Sequence, residues 1–411
     1  MSNQPLLSIV IPTKNRQRFC LSAVNSILNI DDERIQVVVQ DNSTDNSLQA
    51  QLPIQYTENR LKYRYQDGTI SFVNNFNLAI DNADGEYICI IGDDDGVNPE
   101  IIDATAWAKQ NNIDCLTGSV CATYRWDNVG DRKKFFIKLP SSSLTMTKFT
   151  GRIKKVNLEH SLVELVKEGC ASYAVADFPK LYHGIVKKAS LEKLKDTTGS
   201  YLKGLSPDIY AAIALACIDV NLVVIDYPLT MPGVCAASGS IIEGERKENS
   251  RELTNAPHFR GRTEPYVWEE NVPKIYCVET IWADSAFAAL REFNRDDLFN
   301  YFDDFILAAT IIEADATVAE KVYKFLMEKH KDLTIDEIKA NIKKIKYSKL
   351  YLGKLQLNFT KAKRALKIEE FKIIPNLHNM EQATLALAEY LDNSGIKLGN
   401  SLSNLDTSLF K

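Results

Sequence analysis

The sequence lacks the patterns that mark several common classes of protein. Its eight cysteines are scattered, with no Cys-x-x-Cys pair and no zinc spacing, and its five histidines show no metal-pair spacing. We find no signal or transit peptide, no apolar run long enough to span a bilayer and no internal repeat. These absences argue against a disulfide scaffold, a zinc protein and a membrane-spanning chain. They predict a cytoplasmic protein with reduced thiols.

The composition is that of an ordinary globular protein. The 411 residues are 45% hydrophobic and 25% charged, which is enough for a sizeable core in two or three domains. The formal net charge of −5 gives little support to a nucleic-acid partner.

Three consecutive carboxylates are the most informative feature of the chain. The apolar run 87–91 is followed by Gly92 and then by Asp93, Asp94 and Asp95. Like charges this close repel by roughly 1 kcal/mol per pair in water, and by more in a protein. Such a cluster after a buried strand suggests an oxygen-preferring divalent cation, Mg or Mn. The alternative is an acidic turn in which Asp95-Gly96 supplies the bend.

The first 110 residues predict an α/β fold. Apolar runs of strand length (6–11, 35–39 and 87–91) alternate with amphipathic segments at 19–30 and 72–83. This order is typical of a parallel sheet covered by helices. The polar clusters 12–16, 40–45 and 92–96 follow its strands, and ligands of such sheets bind outside the carboxyl ends of the strands.

These segments resemble the family 2 glycosyltransferases of the GT-A fold. The resemblance rests on four short sequence motifs that follow one another in the family's order, over about the first quarter of the chain. They are 8–16 (Ser-Ile-Val-Ile-Pro-Thr-Lys-Asn-Arg), 37–45 (Val-Val-Val-Gln-Asp-Asn-Ser-Thr-Asp), 77–88 with its Asp-Gly-Glu-Tyr turn, and 92–94. The resemblance implies a Rossmann-like, mostly parallel sheet flanked by helices. A weaker resemblance continues to about residue 240.

The resemblance also implies site residues. Pro12, Thr13, Asn15 and Arg16 would border the nucleoside of a sugar nucleotide, and Asp41 would accept a hydrogen bond from its base. Asn77 and Asp93 would contribute to the same site, while Asp94, helped by Asp95, would hold Mn or Mg. Gly92 stands where the family has the first aspartate of its Asp-x-Asp motif, and Gln40 also replaces an aspartate.

An inverting sugar transfer needs a base that takes the proton of the acceptor hydroxyl. Asp208 is the candidate, since it precedes an apolar helix (209–220), a strand (221–226) and Pro228-Leu229 in the family's order. The alternative is structural. Ser206 would be an N-cap, Pro207 the first helical residue, and Asp208 a complement to the helix dipole.

The middle of the chain carries weaker predictions. We expect 120–126 and 133–139 to pair as a hairpin. His183 is a candidate acceptor contact, with a satisfied core histidine as the alternative. The loop 241–275 has little periodicity, and Arg246, Lys247 and Arg251 could close over a diphosphate. The alternative for these three is a solvated loop.

Beyond about residue 275 the pattern is helical. Residues 339–372 carry 11 Lys plus Arg and 2 Asp plus Glu around an apolar stripe that starts at Ile338 and Ile342. This basic element either rests on an anionic membrane surface or packs by its stripe with solvated lysines outside. The former would place the protein at the inner face of the cytoplasmic membrane.

The predicted organisation is a catalytic domain at 1–240, a lid-like loop at 241–275 and a mainly α-helical domain at 276–411. Within the first, 1–110 would bind nucleotide and 111–240 the acceptor. The predicted function is an inverting, metal-dependent glycosyltransferase that acts on a glycan or lipid-linked acceptor of surface polysaccharide synthesis. The alternatives are a sugar-nucleotide-forming nucleotidyltransferase, which would want a glycine-rich loop that 12–16 lacks, and a non-catalytic sugar-nucleotide-binding protein.

Overall fold

A computed structural model describes residues 4–56, 60–134, 137–173, 176–236, 259, 262, 265–346 and 372–406. Its strands are β1 (Leu7–Thr13), β2 (Ile35–Asp41), β3 (Leu61–Tyr65), β4 (Tyr87–Ile90), β5 (Gly96–Val97), β6 (Cys115–Gly118), β7 (Ala122–Arg125), β8 (Arg132–Lys134), β9 (Ile137–Leu139), β10 (Ser143–Met146), β11 (Ile153–Lys155), β12 (Gly184–Lys187), β13 (Leu222–Ile225), β14 (Thr230–Met231), β15 (Gly233–Val234) and β16 (Lys372–Ile374). Its α-helices are α1 (Gln17–Leu28), α2 (Phe72–Asp81), α3 (Ile101–Gln110), α4 (Leu158–Lys167), α5 (Lys188–Thr198), α6 (Pro207–Cys217), α7 (Val278–Glu292), α8 (Asp304–Ala314), α9 (Ala319–Lys329), α10 (335–346), α11 (Met380–Asn393) and α12 (Leu398–Ser403).

The main sheet has eight strands in the order β11-β13-β6-β12-β4-β1-β2-β3. The four strands β4, β1, β2 and β3 are parallel, as are β6 and β13, while β12 and β11 run antiparallel to their neighbours. The predicted class, an α/β fold with a mostly parallel sheet flanked by helices and a helical C-terminal region, is confirmed.

The sheet is buried on both faces, which explains the continuous apolar runs of its central strands. Along β1, Val10 lies in one hydrophobic cluster, whereas Ile9 and Ile11 lie in the other. Alternate residues of a strand point to opposite faces, so both parities must be apolar when helices cover both sides. The helices α2, α4 and α6 complete the first cluster, and α1 and α3 complete the second.

The predicted hairpin between 120–126 and 133–139 is wrong. Strand β7 pairs with β10 and β15 in a second, four-stranded sheet, whereas β8 and β9 pair only with each other within the described chain. The segment 120–126 does contain one strand, β7, but its partners are residues 143–146 and 233–234. The segment 133–139 contains parts of two short strands, β8 and β9, which pair with each other.

The chain after residue 276 covers both faces of the sheet. Helix α7 packs on α6, and Ile338 and Ile342 of α10 are buried in the same cluster. The last helices return to the opposite face, where α11 packs on α1 and α12 on α3. In the described part of α10 the apolar stripe therefore faces the protein core, as the packing alternative expects. The exact domain limits stay predictions.

We predict that the last helices contribute to the stability of the half of the sheet formed by β1, β2, β3 and β4. Leu387 of α11 is fully buried against that half, so Leu387→Ala should lower the free energy of unfolding by about 2–5 kcal/mol in urea denaturation. Leu385, two residues earlier and 70% exposed, is the matched control, and its change to Ala should alter stability by no more than about 0.5 kcal/mol. Equal effects would contradict this packing.

Candidate functional site

Three polar clusters of the sequence meet at one edge of the sheet. Strand β1 pairs in parallel with β2 on one side and with β4 on the other. Thr13 and Asp41 are the last residues of β1 and β2, and Asp93 follows β4 by three residues. Parallel strands bring their carboxyl ends to the same edge, which forms the crevice where such sheets bind ligands.

Asp93 and Asp94 are buried and share one cation. Nε of Arg16 lies 3.1 Å from Oδ1 of Asp93, and Nη2 of Arg16 lies 2.9 Å from Oδ1 of Asp94. The hydroxyl of Thr13 donates to Oδ2 of Asp93 at 2.7 Å. Burial nevertheless raises the pKa of Asp93 to about 7, because Arg16 offsets only part of the desolvation and Asp94 adds like charge.

Asp95 is turned away from this pair. Its Oδ2 accepts hydrogen bonds from the backbone N–H of Gly92 at 2.6 Å and from Tyr182 Oη at 3.0 Å, and its Oδ1 accepts the N–H of Gly233 at 2.6 Å. Despite burial, His183 and these two N–H groups lower the pKa of Asp95. Both oxygens of Asp95 thus accept hydrogen bonds that hold the aspartate loop, and its part in metal binding stays a prediction.

His183 belongs to the same network. Its Nε2 lies 3.2 Å from Oδ2 of Asp95, and its Nδ1 lies 3.0 Å from the hydroxyl of Thr230. The backbone of His183 is left-handed, with φ of 64°, which aims the ring at the loop. Because both ring nitrogens are occupied within the protein, the structure favours the satisfied histidine over the predicted acceptor contact.

Sequence reasoning missed the segment that encloses the aspartate loop. Gly233 passes so close that a Cβ there would lie 1.7 Å from the carbonyl oxygen of Asp94. Trp126 Nε1 donates to that same oxygen at 2.9 Å, and Cys235 Sγ lies 2.9 Å from Nη2 of Arg16. In the sequence, the Pro232-Gly233 pair is a signal for a turn at this point.

The side of the crevice at the ends of β1 and β2 is built around Asp41. This fully buried carboxylate accepts the backbone N–H of Ser43 at 2.8 Å and the hydroxyl of Tyr63 at 2.9 Å. Burial and the contact with Asp41 raise the pKa of Tyr63, which keeps the phenol protonated as a donor. Asn15, at φ of 56°, donates its N–H to Ser43 Oγ at 2.7 Å and joins the β1 and β2 loops. Pro12 lies within β1 beside them.

Asn77 does not fit the predicted contact with the donor. Its Nδ2 donates to the carbonyl of Leu202 at 3.0 Å, and its Oδ1 accepts the N–H of Leu202 at 3.0 Å. The amide thus fastens α2 to the chain before α6. Asn75, two residues earlier, is the asparagine beside the crevice: its Nδ2 lies 3.5 Å from the carbonyl of Thr13, and its buried Oδ1 has no hydrogen-bond partner in the described part of the chain.

Asp208 stands at the start of α6, as expected, but Ser206 does not cap the helix. The Ser206 hydroxyl donates to Oδ1 of Asp208 at 2.7 Å instead of accepting a helical N–H. The backbone before it is held by Ser285 of α7, whose Oγ accepts the N–H groups of Leu205 at 3.3 Å and Ser206 at 2.9 Å. The purely structural capping role of Ser206 is therefore wrong.

A short segment of chain links Asp208 to the aspartate loop. Lys180 is half-buried, and burial lowers its pKa while Asp177 and Asp208 oppose the shift by their charge. Two residues later, Tyr182 donates to Asp95, and the backbone of this segment runs beside the end of β4. Asp208 is thus within electrostatic reach of Lys180, and Tyr182, two residues further on, contacts the aspartate loop.

Asp94, predicted as a metal ligand, lies beside Asp93, and these two carboxylates are the pair that contacts Arg16. Within the described residues no group of three or more His, Cys, Asp and Glu side chains is arranged to hold a metal ion. The two carboxylates fit a hard divalent ion, because Mg usually takes one or two protein carboxylates and completes its shell with phosphate oxygens and water.

The predicted diphosphate lid, Arg246, Lys247 and Arg251, lies outside the described residues, as does most of the basic stretch 339–372. Among the helices that the structure describes, none combines the length and apolarity needed to cross a membrane.

The comparisons with known proteins match part of the chain to a family model. Residues 8–163, less than half of the chain, match the model described as glycosyl transferase family 2. A solved structure titled S. aureus TarS 1-349 in complex with UDP-GlcNAc is 18% identical, with a TM-score of 0.40 over 84% of this chain and 92% of that one.

Two curated relatives carry specific names. One is the GalNAc(5)-diNAcBac-PP-undecaprenol beta-1,3-glucosyltransferase of Campylobacter jejuni, 34% identical over 22% of this chain and 30% of that protein. The other is the putative colanic acid biosynthesis glycosyl transferase WcaA of Escherichia coli, 34% identical over 28% of this chain and 41% of that protein. The chain thus spans less than half the length of each relative.

We predict that Gly92 is required by the fold of the aspartate loop. A Cβ there would lie 2.7 Å from Tyr182 Oη and 2.8 Å from Oδ2 of Asp95, so Gly92→Ala should lower stability by about 1–3 kcal/mol. Gly92→Asp, which restores the family's aspartate, should lower it further because it adds negative charge beside Asp95. Urea denaturation measures both.

Gly399 of α12 is the matched control for this prediction. A Cβ there would meet no atom within 4 Å, so Gly399→Ala should be neutral or stabilise by up to about 1 kcal/mol. A Gly92→Asp protein as stable as the wild type would refute the explanation given for Gly92.

Proposed function

We propose that this protein is an inverting, metal-dependent glycosyltransferase that moves a sugar from a nucleoside-diphosphate sugar to a hydroxyl of a glycan or lipid-linked acceptor. Its family 2 domain supports the reaction class. The observation that carries the finer proposal is the pairing of two sites. Buried Asp93 and Asp94 lie at the carboxyl edge of the sheet, and Asp208 interacts electrostatically with Lys180, two residues before the Tyr182 that contacts the aspartate loop.

In this mechanism Asp208 is the base. It would take the proton of the acceptor hydroxyl while that oxygen attacks the anomeric carbon from the face opposite the diphosphate. The bond from the anomeric carbon to the diphosphate breaks as the new bond forms, so the configuration inverts. The hydrogen bond from Ser206 and the anchoring of residues 205–206 by Ser285 support this role, since they fix the carboxylate in one orientation.

The nucleotide would lie along the ends of β1 and β2. Asp41 keeps a fully buried carboxylate there and would accept a hydrogen bond from the base, while Pro12, Thr13 and Asn15 border the nucleoside. The unpartnered amide oxygen of Asn75 next to Thr13 is a further polar group that a ligand would satisfy.

Asp94, with Asp93 beside it, would hold Mn or Mg. When bound, the metal supplies positive charge that stabilises the departing nucleoside diphosphate. The raised pKa of Asp93 supports this assignment, because it shows that the cations present in the protein compensate the buried charge only in part.

The names of two relatives support the acceptor class. One is named for an undecaprenol-diphosphate-linked glycan and the other for colanic acid, a polysaccharide. We therefore propose a growing surface glycan as the acceptor. For contact with an anionic membrane, the buried stripe of α10 leaves its exposed lysines Lys339, Lys343 and Lys344 as the attracting groups.

The two alternative functions make different demands. A nucleotidyltransferase would need a loop that cradles a triphosphate, and residues 12–16 offer no glycine for it. A non-catalytic binder would retain Asp41 and Asp94 without needing Asp208, so it is separated from an enzyme by the variant described below.

We predict that one class of nucleoside-diphosphate sugar stabilises the protein, and does so more strongly with Mn. A thermal-shift screen of UDP-, dTDP- and GDP-sugars with and without Mn measures this, with CMP-sugars, which carry a monophosphate, as the comparison. A ligand at a hundredfold excess over its Kd adds about 2.7 kcal/mol to the apparent stability. The absence of any shift with all three diphosphate classes would contradict donor binding.

We predict that Asp208→Asn lowers kcat by about 10²–10⁴-fold, because a general base contributes on that scale. Nucleoside diphosphate release from the donor selected by the screen, with water or a glycan as acceptor, measures the rate, while calorimetry should show unchanged donor affinity. Asp177→Asn is the control: Asp177 also interacts with Lys180 but is ion-paired to Lys154 at 2.5 Å, so its change should leave kcat unaltered. Unchanged turnover by Asp208→Asn would favour the non-catalytic binder.

A further inference from the structure

Arg16 occupies the position where a metal ion would approach Asp93 and Asp94. Its guanidinium contacts one oxygen of each carboxylate, at 3.1 Å and 2.9 Å, and the side chain is only 20% exposed. Cys235 Sγ at 2.9 Å and the ring of Phe19, 5.5 Å from the guanidinium carbon, enclose it further. The arginine is therefore part of the carboxylate cluster and not a solvated residue at its rim.

We propose that Arg16 is an internal counter-ion that competes with the divalent metal for Asp93 and Asp94, so that the metal binds strongly only together with the diphosphate of the donor. This inference rests on the proposed function and adds to it a rule for the order of binding. It concerns the protein without donor, in which the guanidinium and the metal would compete for the same oxygens of Asp93 and Asp94.

The electrostatics require this competition. A guanidinium and a divalent cation on neighbouring oxygens repel each other strongly in a partly buried site, where water screens little. The metal must therefore displace Arg16 or bind weakly beside it. A displaced Arg16 would lose two charge-assisted contacts, and desolvation of its cation would remain uncompensated.

A bound diphosphate removes the conflict. Its oxygens supply new negative charge between the two cations, and a planar guanidinium binds phosphate oxygens in the same bidentate way as carboxylates. Arg16 can then turn from the carboxylates to the phosphate without losing its partners. Since coupling between two ligands is reciprocal, the metal should raise the affinity for diphosphate by the same factor.

The choice of arginine is informative. Its fork spans Asp93 and Asp94 at once, whereas a lysine ammonium is a compact point charge. Arg18, two residues along, provides the contrast within the same chain: it is 58% exposed and pairs with Asp127, away from the aspartate loop. Removing either arginine lowers the net charge by one, but only Arg16 contacts the carboxylate pair through contacts at 2.9–3.1 Å.

Titration of the full-length protein with MnCl₂, followed by the electron paramagnetic resonance signal of free Mn²⁺, tests the proposal without turnover. The wild type should bind Mn weakly alone and at least tenfold more tightly with saturating UDP, or with the diphosphate that the donor screen selects. Arg16→Gln should bind Mn alone at least tenfold more tightly than the wild type, and the gain on adding nucleotide should shrink. Arg18→Gln should behave as the wild type.

Two further variants secure the interpretation. Arg16→Lys keeps the charge, so its affinity for Mn alone should stay within a fewfold of that of the wild type. This variant keeps the proposal testable if Arg16→Gln folds poorly. Asp94→Asn should abolish Mn binding in every condition. The proposal is overturned if Arg16→Gln binds Mn alone no better than the wild type, if Arg18→Gln gains as much, or if no protein binds Mn.

The same data separate this inference from the proposed function. Failure of the wild type to bind any nucleoside diphosphate would refute the proposed function, whereas tighter Mn binding by Arg16→Gln alone would still support competition. Conversely, normal donor binding with identical Mn affinities in wild type and Arg16→Gln would leave the glycosyltransferase proposal intact and reject the role of Arg16.

Discussion

The structure depends on how four buried carboxylates are compensated at one edge of a sheet. Asp41, Asp93, Asp94 and Asp95 are each at most 5% exposed, and an uncompensated carboxylate in such surroundings would be strongly destabilising. Three kinds of partner solve the problem here. Hydroxyl and backbone N–H donors serve Asp41, a shared guanidinium serves Asp93 and Asp94, and a histidine with two backbone N–H groups serves Asp95.

These solutions assign different chemistry to adjacent residues. Asp95 is compensated by His183 and by backbone N–H groups of the loop and of Gly233, and its pKa is lowered. Asp93 keeps a raised pKa because its compensation is incomplete. A carboxylate of the first kind supports a structure, whereas one of the second kind favours an additional cation. The three aspartates thus divide into one residue that holds the loop and two that share the guanidinium of Arg16.

The parts of this arrangement that were predictable are those that a local pattern encodes. The runs that became β1, β2 and β4 and the polar residues at their ends identified the sheet, its edge and the aspartate cluster. The partners of Asp95 were not predictable, because Tyr182 and Gly233 lie 87 and 138 residues away in sequence. Asn77 was predicted as a site residue because it belongs to a family motif. In the structure its amide binds Leu202 instead, and Asn75 is the asparagine beside the crevice.

The helical region illustrates the same limit on a larger scale. An apolar stripe predicts that one face of a helix is buried, but it does not indicate which element covers that face. The sequence after residue 276 therefore gave no sign that α7 would hold the backbone before Asp208 while α11 would cover α1 on the opposite face.

The C-terminal helices support the proposed site from two sides. The residues preceding the candidate base are anchored from Ser285, and the aspartate loop is backed by Met380, whose sulfur would lie 2.5 Å from a Cβ at Gly96. Both halves of the proposed site are thus supported by the same C-terminal region, from opposite faces of the sheet. Asp208 and the aspartate loop can be preorganised only if one rigid body holds both of them. In this chain the C-terminal helices complete that body.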